Sequence, residues 1–274
     1  MSSILNKFSL SGQTALITGG AGLLGRQFSR TLGEAGANVV VADLDFDAAR
    51  DYAQSLLDAG IRAIAVRVDV TNLDSVEALI EHTIYEFGQL DVLVNSAALD
   101  PKFDPQHLDA QGANAFETYP LDQWKQAIDV NLTGMFLVCQ AAARQMLINN
   151  HGVIINICST YGLVGPDQSL YERPDGSRQF KPVYYSVTKA GVLGLTRYLA
   201  TYYAGKPIRV NALTPGGIYN QHDEVFEKSY SVRTVMGRMA ELDEMNGAIL
   251  FLASEASSYM TGANLVVDGG WTAW

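Results

Sequence analysis

Short runs rich in β-branched and apolar residues recur along the chain, and longer amphipathic stretches separate them. The runs lie near 14–18 (TALIT), 38–43 (NVVVAD), 63–70 (AIAVRVDV), 90–96 (LDVLVNS), 152–159 (GVIINICS), 208–215 (IRVNALTP) and 263–270 (ANLVVDGG). Helical periodicity occupies about 23–36, 45–59, 72–87, 121–149, 183–204 and 241–254. Several strand candidates are apolar nearly throughout, which requires cover on both sheet faces. Strands alternating with crossover helices supply that cover by building a parallel sheet. The pattern therefore predicts an α/β fold: one Rossmann-type domain over 1–274, with a doubly wound, parallel, seven-stranded sheet and helices on both faces. No linker, repeat or low-complexity segment divides it. Two polar stretches containing Gly and Pro, near 99–120 and 164–182, break the rhythm. Loops of that length inside a compact domain serve as covers over a site or as contacts between copies.

Charge narrows the choice of ligand. The 274 residues carry a formal charge of −10, which disfavours nucleic acid and anionic membrane surfaces as partners. An anionic small molecule would have to be held locally, by backbone amides or a few placed cations. Cys139 and Cys158 sit in apolar surroundings at no metal-ligand spacing and read as thiols of a reducing compartment. The N-terminal MSSILNKFSLSG lacks the apolar stretch of a signal peptide, and no run is long enough to span a membrane. A cytoplasmic protein is expected, with neither metal nor membrane involved.

The first strand runs into TGGAGLLG, Thr18 to Gly25, just before the first helix. In that context glycines have distinct uses: Gly19 for a sharp turn, Gly22 for close approach to a pyrophosphate, Gly25 for tight helix packing. The helix start offers its amides to phosphate. Asp43 ends the next strand and could accept hydrogen bonds from ribose hydroxyls while repelling a 2′-phosphate. No basic residue follows it in sequence until Arg50, so NAD is the expected cofactor; a helix-capping role for Asp43 is the alternative.

Further along, YYSVTKAG places Tyr185 and Lys189 four apart, on one face of a helix. A phenol is too weak a base at neutral pH unless a nearby ammonium favours its ionised form. Ser159 ends the strand VIINICS, where its hydroxyl could hold a substrate oxygen. Asn131, in DVNLTG, could support a water path to the lysine.

These motifs together resemble the short-chain dehydrogenase/reductase family, in its common branch of about 250 residues, over nearly the whole chain. The resemblance implies an acid/base tetrad of Asn131, Ser159, Tyr185 and Lys189, with Tyr185 and Lys189 also facing the cofactor. It implies cofactor contacts at Thr18, Gly19, Gly22, Leu24 and Gly25, ribose selection at Asp43, and adenine contact at Asp69 and Val70. Asn95 and Ala97 in LVNSAA, and Pro215, Gly216 and Ile218 in LTPGGI, complete the implied cofactor surface. The expected reaction is NAD-dependent interconversion of a secondary alcohol and a ketone in a homotetramer. Leu23 and Ala98 depart from the pattern, since each stands where the family carries glycine.

Ser159 and Tyr185 lie 26 residues apart, about twice the family's usual interval. The extra segment brings Arg173, Arg178 and Lys181, candidate substrate contacts on a mobile lid. CSTYGLVGP, the insert and LTPGGIYNQ are also similar to bacterial oxidoreductases of flagellin glycosylation and nonulosonic-acid pathways, which implies a sugar or sugar-phosphate substrate. Two alternatives stay open. The spacing G-x-x-G-x-x-G suits a nucleotide-sugar epimerase or dehydratase with tightly held NAD, separable by the absence of net NADH turnover. A non-catalytic dinucleotide-binding module would bind NAD and turn nothing over.

Overall fold

The computed structural model describes residues 3–100, 114–172 and 179–274. Arg173, Arg178 and most of the 99–120 insertion lie outside the described residues. β1 (Thr14–Thr18), β2 (Asn38–Asp43), β3 (Ala63–Arg67), β4 (Val92–Asn95), β5 (Gly152–Ile157), β6 (Ile208–Pro215) and β7 (Asn264–Val267) form one parallel sheet, in the order β3-β2-β1-β4-β5-β6-β7. The helices are α1 (Leu23–Glu34), α2 (Phe46–Asp58), α3 (Leu73–Phe87), α4 (Leu121–Ile128), α5 (Met135–Asn149), α6 (Val183–Tyr202), α7 (Glu224–Ser231) and α8 (Asn246–Ala253).

The fully buried β1 shows why the strands read as apolar throughout. Ala15 and Ile17 pack on one face with Phe28, Leu32, Ile249 and Leu252. Leu16 points the other way, among Val76, Leu79, Val138 and Met146. Successive side chains alternate across the sheet, so two apolar layers demand an unbroken apolar strand.

Several boundaries differ from the sequence reading. β3 stops at Arg67, and Val68 and Val70 turn into the α3 side of the core instead of extending the strand. The 121–149 stretch is not one helix, because a π-helical turn at Asp129–Gly134 joins α4 to α5. The last helix is shorter than 241–254. An additional helix, α7, follows β6, capped by Asp223 accepting from the Phe226 amide at 2.9 Å.

The strand order reverses between β1 and β4, where successive crossovers leave toward opposite sides and open a crevice at the carboxyl ends. The glycine turn lies at this crevice. Gly19 has φ +64°, and a Cβ there would sit 2.9 Å from the Ala97 backbone. At Gly25 a Cβ would lie 2.0 Å from the Gly19 carbonyl oxygen, inside any permitted contact. Gly22 is looser, its nearest neighbour being the same oxygen at 3.1 Å. Gly25→Ala should therefore push α1 off the turn and cost about 1–3 kcal/mol, the scale of overpacking. Gly22→Ala should cost clearly less. Thermal melts of the two variants give the comparison, and equal melting temperatures would show that the turn is not held by this contact.

Candidate active site

Thr18 ends β1 at the crevice, and its Oγ1 accepts from the Ser96 and Ala97 amides at 3.2 and 3.3 Å. It thus locks the glycine turn to the end of β4. Gly22 is the N-cap of α1 and no side chain caps that helix, which leaves first-turn amides for an anion. Leu24 packs partly against the core. The Asp43 carboxylate accepts from Ala21 N at 3.0 Å and Asp45 N at 3.1 Å, so it is held against the same turn. Beyond it lies an open depression of about 430 Å³, lined in part by Leu44, Asp69, Thr71 and Val130. Thr71 donates twice to the Asp69 carboxylate, holding it below its ordinary pKa. The uncapped helix, a turn with no room for side chains, the fixed carboxylate and the depression fit a dinucleotide.

Two expected cofactor residues have their side chains turned into the interior. Asn95 is buried and donates to Asn156 Oδ1 at 2.9 Å, so its amide ties β4 to β5. The Val70 side chain is buried in the core. Ala97 contributes backbone, as the neighbour that keeps position 19 a glycine.

On the other side of the crevice, Ser159 follows β5, and Tyr185 and Lys189 lie on one face of α6. The exposures of Ser159, Tyr185 and Lys189 are 8%, 9% and 5%, so these side chains sit largely out of water. Burial is the main reason the Tyr185 phenol is pushed well above its ordinary pKa. The Asp100 carboxylate pushes the same way, and hydrogen bonding with Ser159 pulls back. Lys189 is lowered, again chiefly by burial. Its ammonium donates to the Ile157 carbonyl at 2.9 Å and lies 5.8 Å from the Tyr185 ring centroid. At Tyr185 burial thus outweighs the neighbouring charges.

Asn131 comes from the π turn and is 2% exposed. Its Oδ1 accepts from Leu99 N at 2.7 Å, while Nδ2 donates to Leu99 O at 3.1 Å and Thr188 Oγ1 at 3.2 Å. The side chain clamps the segment after β4 to α6.

An aromatic wall closes the cleft. The Tyr161 ring meets Tyr185 edge-on at 6.5 Å, and Trp271 stacks on Tyr230 at 4.3 Å. The Tyr230 hydroxyl accepts from Gly217 N at 2.6 Å, fixing the corner after β6 that carries Pro215, Gly216 and Ile218. The described ends of the 164–182 insert are anchored rather than loose. Arg233 pairs with Asp167 and donates to Ser169 Oγ at 2.9 Å, and Tyr171 packs on Phe226 of α7. Lys181 does not stand free for a substrate: its Nζ pairs with Asp100 at 2.7 Å and lies over the Tyr185 ring. Sequence reasoning missed Asp100, Thr188, Tyr230 and Trp271. Only Asp100 lay in one of the two long polar stretches that break the strand–helix rhythm.

The family model described as enoyl-(acyl carrier protein) reductase matches residues 20–272. The chain is 40% identical over 268 residues to a cis-4-hydroxycyclohexanecarboxylate dehydrogenase of Sinomonas cyclohexanicum, covering 95% of this chain and 97% of that protein. The chain belongs to the short-chain dehydrogenase/reductase family. Identity to the 5-keto-D-gluconate 5-reductase of Escherichia coli K12 is 33% over 269 residues, covering 96% of each. A solved gluconate 5-dehydrogenase from Burkholderia cenocepacia, in complex with NADP and tartrate, superposes with TM-score 0.86 at 33% identity, over 99% of this chain and 100% of that one. As a short-chain dehydrogenase/reductase, the protein is an oxidoreductase that uses a nicotinamide dinucleotide and interconverts an alcohol and a ketone of a polar substrate.

Replacing Tyr185 by Phe keeps the ring and removes the transferable proton. Turnover should fall by about 10²–10⁴-fold, the scale of a lost general acid/base, with cofactor affinity nearly unchanged. Steady-state rates and cofactor titration give both numbers. Near-wild-type turnover would remove Tyr185 from the chemistry.

Proposed function

We propose that the protein is an NAD(H)-dependent dehydrogenase of a small hydroxylated carboxylate, oxidising its secondary alcohol to a ketone or running the reverse. The observation that carries this reading is the cleft itself: Ser159, Tyr185 and Lys189 converge beside the glycine turn and the Asp43 carboxylate, under an aromatic cover. When bound, the nicotinamide supplies hydride acceptance and donation. This chain's residues do the rest. Ser159 orients the substrate oxygen, Tyr185 takes or gives the hydroxyl proton, and Lys189 favours the ionised phenol. The Asn131 main chain and the Lys189 ammonium carry the proton onward, and the aromatic wall excludes water.

The choice of a carboxylate rests on the relatives, and an acidic protein would have to hold such an anion locally. By their names, one acts on a hydroxycyclohexanecarboxylate and another on a ketogluconate. This narrows the sugar or sugar-phosphate expectation to acids. Stacked Tyr198 and Tyr202 on α6, 62% and 66% exposed, supply an apolar surface for the proposed homotetramer, testable by light scattering.

NAD is favoured because two backbone amides hold the Asp43 carboxylate at the turn, where a 2′-phosphate would be repelled. The second reading is NADP. Strand register pairs Asp43 with Arg67 on β3, a neighbour that sequence distance conceals, and a related structure holds NADP.

Two measurements separate these readings. Comparison of kcat/KM should favour NAD over NADP at least about tenfold, or 1.4 kcal/mol. Asp43→Ala should narrow that ratio, while Arg67→Ala should leave NAD unaffected. A wild-type preference for NADP that Arg67→Ala abolishes would establish the second reading. For substrate, a panel of cis- and trans-4-hydroxycyclohexanecarboxylate, gluconate, cyclohexanol and threitol is followed by reduced-nicotinamide absorbance. Acids should exceed neutral alcohols in kcat/KM; the opposite order would end the carboxylate reading.

A further inference from the structure

Lys181 belongs to the insert that lengthens the chain between Ser159 and Tyr185. Its backbone is fixed: Lys181 N donates to Gln168 Oε1 at 2.9 Å. The side chain is only 10% exposed, and Nζ lies 4.1 Å from the centroid of the Tyr185 ring. That is closer than Lys189, at 5.8 Å. The remaining hydration of this ammonium is replaced by Asp100, 2.7 Å away and itself 58% exposed. A largely buried lysine needs such partners, since withdrawal from water is costly without a carboxylate or a π face.

The ring under Lys181 is that of the group taken to exchange the proton. While the phenol is neutral, the ammonium interacts only with the ring quadrupole. When the proton leaves, the same ammonium faces a full negative charge in a site of low dielectric, where attraction over this distance is strong. Asp100 opposes that attraction, as a carboxylate facing both Lys181 and the phenol.

We propose that Lys181 and Asp100 are a positioning pair for proton transfer, in which Lys181 acts as a second cation on the Tyr185 phenolate and Asp100 sets how much of that charge the phenolate feels. This rests on Tyr185 being the proton-transfer group, and it is independent of which substrate is used. The other titratable groups facing the pair and the phenol are Cys158 at the end of β5, Tyr161 and Tyr171 of the cover, Lys189 on α6 and His222 beyond β6. Burial raises the Tyr161 and Tyr171 phenols and lowers His222.

The test reads Tyr185 directly, without a substrate. Protein labelled with [ζ-¹³C]tyrosine and saturated with the oxidised cofactor is titrated by NMR, and Tyr185→Phe assigns the resonance. Lys181→Met should raise the midpoint by about one pH unit, a tenfold loss of phenolate at fixed pH. Asp100→Asn should move it the opposite way, and Lys181→Arg should track the wild type because it keeps the charge. Arg and Asn nearly conserve size, so these two variants report even if Lys181→Met does not fold. A purely structural role would not give shifts of opposite sign. Midpoints agreeing within about 0.3 unit, or any order other than Asp100→Asn below wild type below Lys181→Met, would overturn the proposal. So would a phenol that stays un-ionised to about pH 11 in both the wild type and Asp100→Asn. Failure of the acid panel with this order intact would refute the carboxylate substrate alone.

Discussion

The reversal of strand order between β1 and β4 is the constraint on which the rest of the molecule depends. Parallel crossovers are right-handed, so helices that leave on opposite faces must diverge where the order turns. The gap left there is where the ends of β1, β4 and β5 face one another. Thr18 spans it by accepting from the amides that follow β4, and Gly25 lets α1 rise directly against the Gly19 carbonyl. Asn95 and Asn156 continue the ties deeper in the sheet. These contacts fix the shape of the crevice through the protein's own side chains and backbone.

The proposed proton-transfer groups face a second, opposing demand. Excluding water protects hydride chemistry, but it also pushes the Tyr185 phenol up and the Lys189 ammonium down, away from the charged forms the reaction needs. Oriented charges must return what desolvation removes. In this chain Lys189 and Lys181 approach the same ring from different segments, while Asp100 works against them. The insert therefore does more than cover the cleft, since one end of it carries charge to the phenol and the other is pinned to α7 through Asp167 and Arg233.

Elements governed by local pattern were readable from sequence. β1 and β2 announce themselves because a strand buried on both faces has few polar positions, and TGGAGLLG and YYSVTKAG carry their spacing within one turn. What could not be read depends on contacts between distant segments. Asp100 and Lys181 meet across 81 positions, and nothing in DPKFD or QFKPV marks them as a pair. Arg67 neighbours Asp43 only through strand register. Asn131 was identified as a site residue, yet its work as a clamp on Leu99 and Thr188 follows from a π turn that helical periodicity cannot distinguish from continuous helix. α7 was missed because its apolar face completes the aromatic cover, through Phe226 and Tyr230, rather than the main core.

The central claim is that one crevice holds the dinucleotide at one end and the proton-transfer groups at the other. A crystal structure of the protein with NAD bound tests this most directly. The account predicts adenosine ribose hydroxyls on the Asp43 carboxylate, pyrophosphate on the first-turn amides of α1, and the nicotinamide beside Ser159 and Tyr185. A dinucleotide bound away from the glycine turn, or a nicotinamide out of reach of Tyr185, would contradict it.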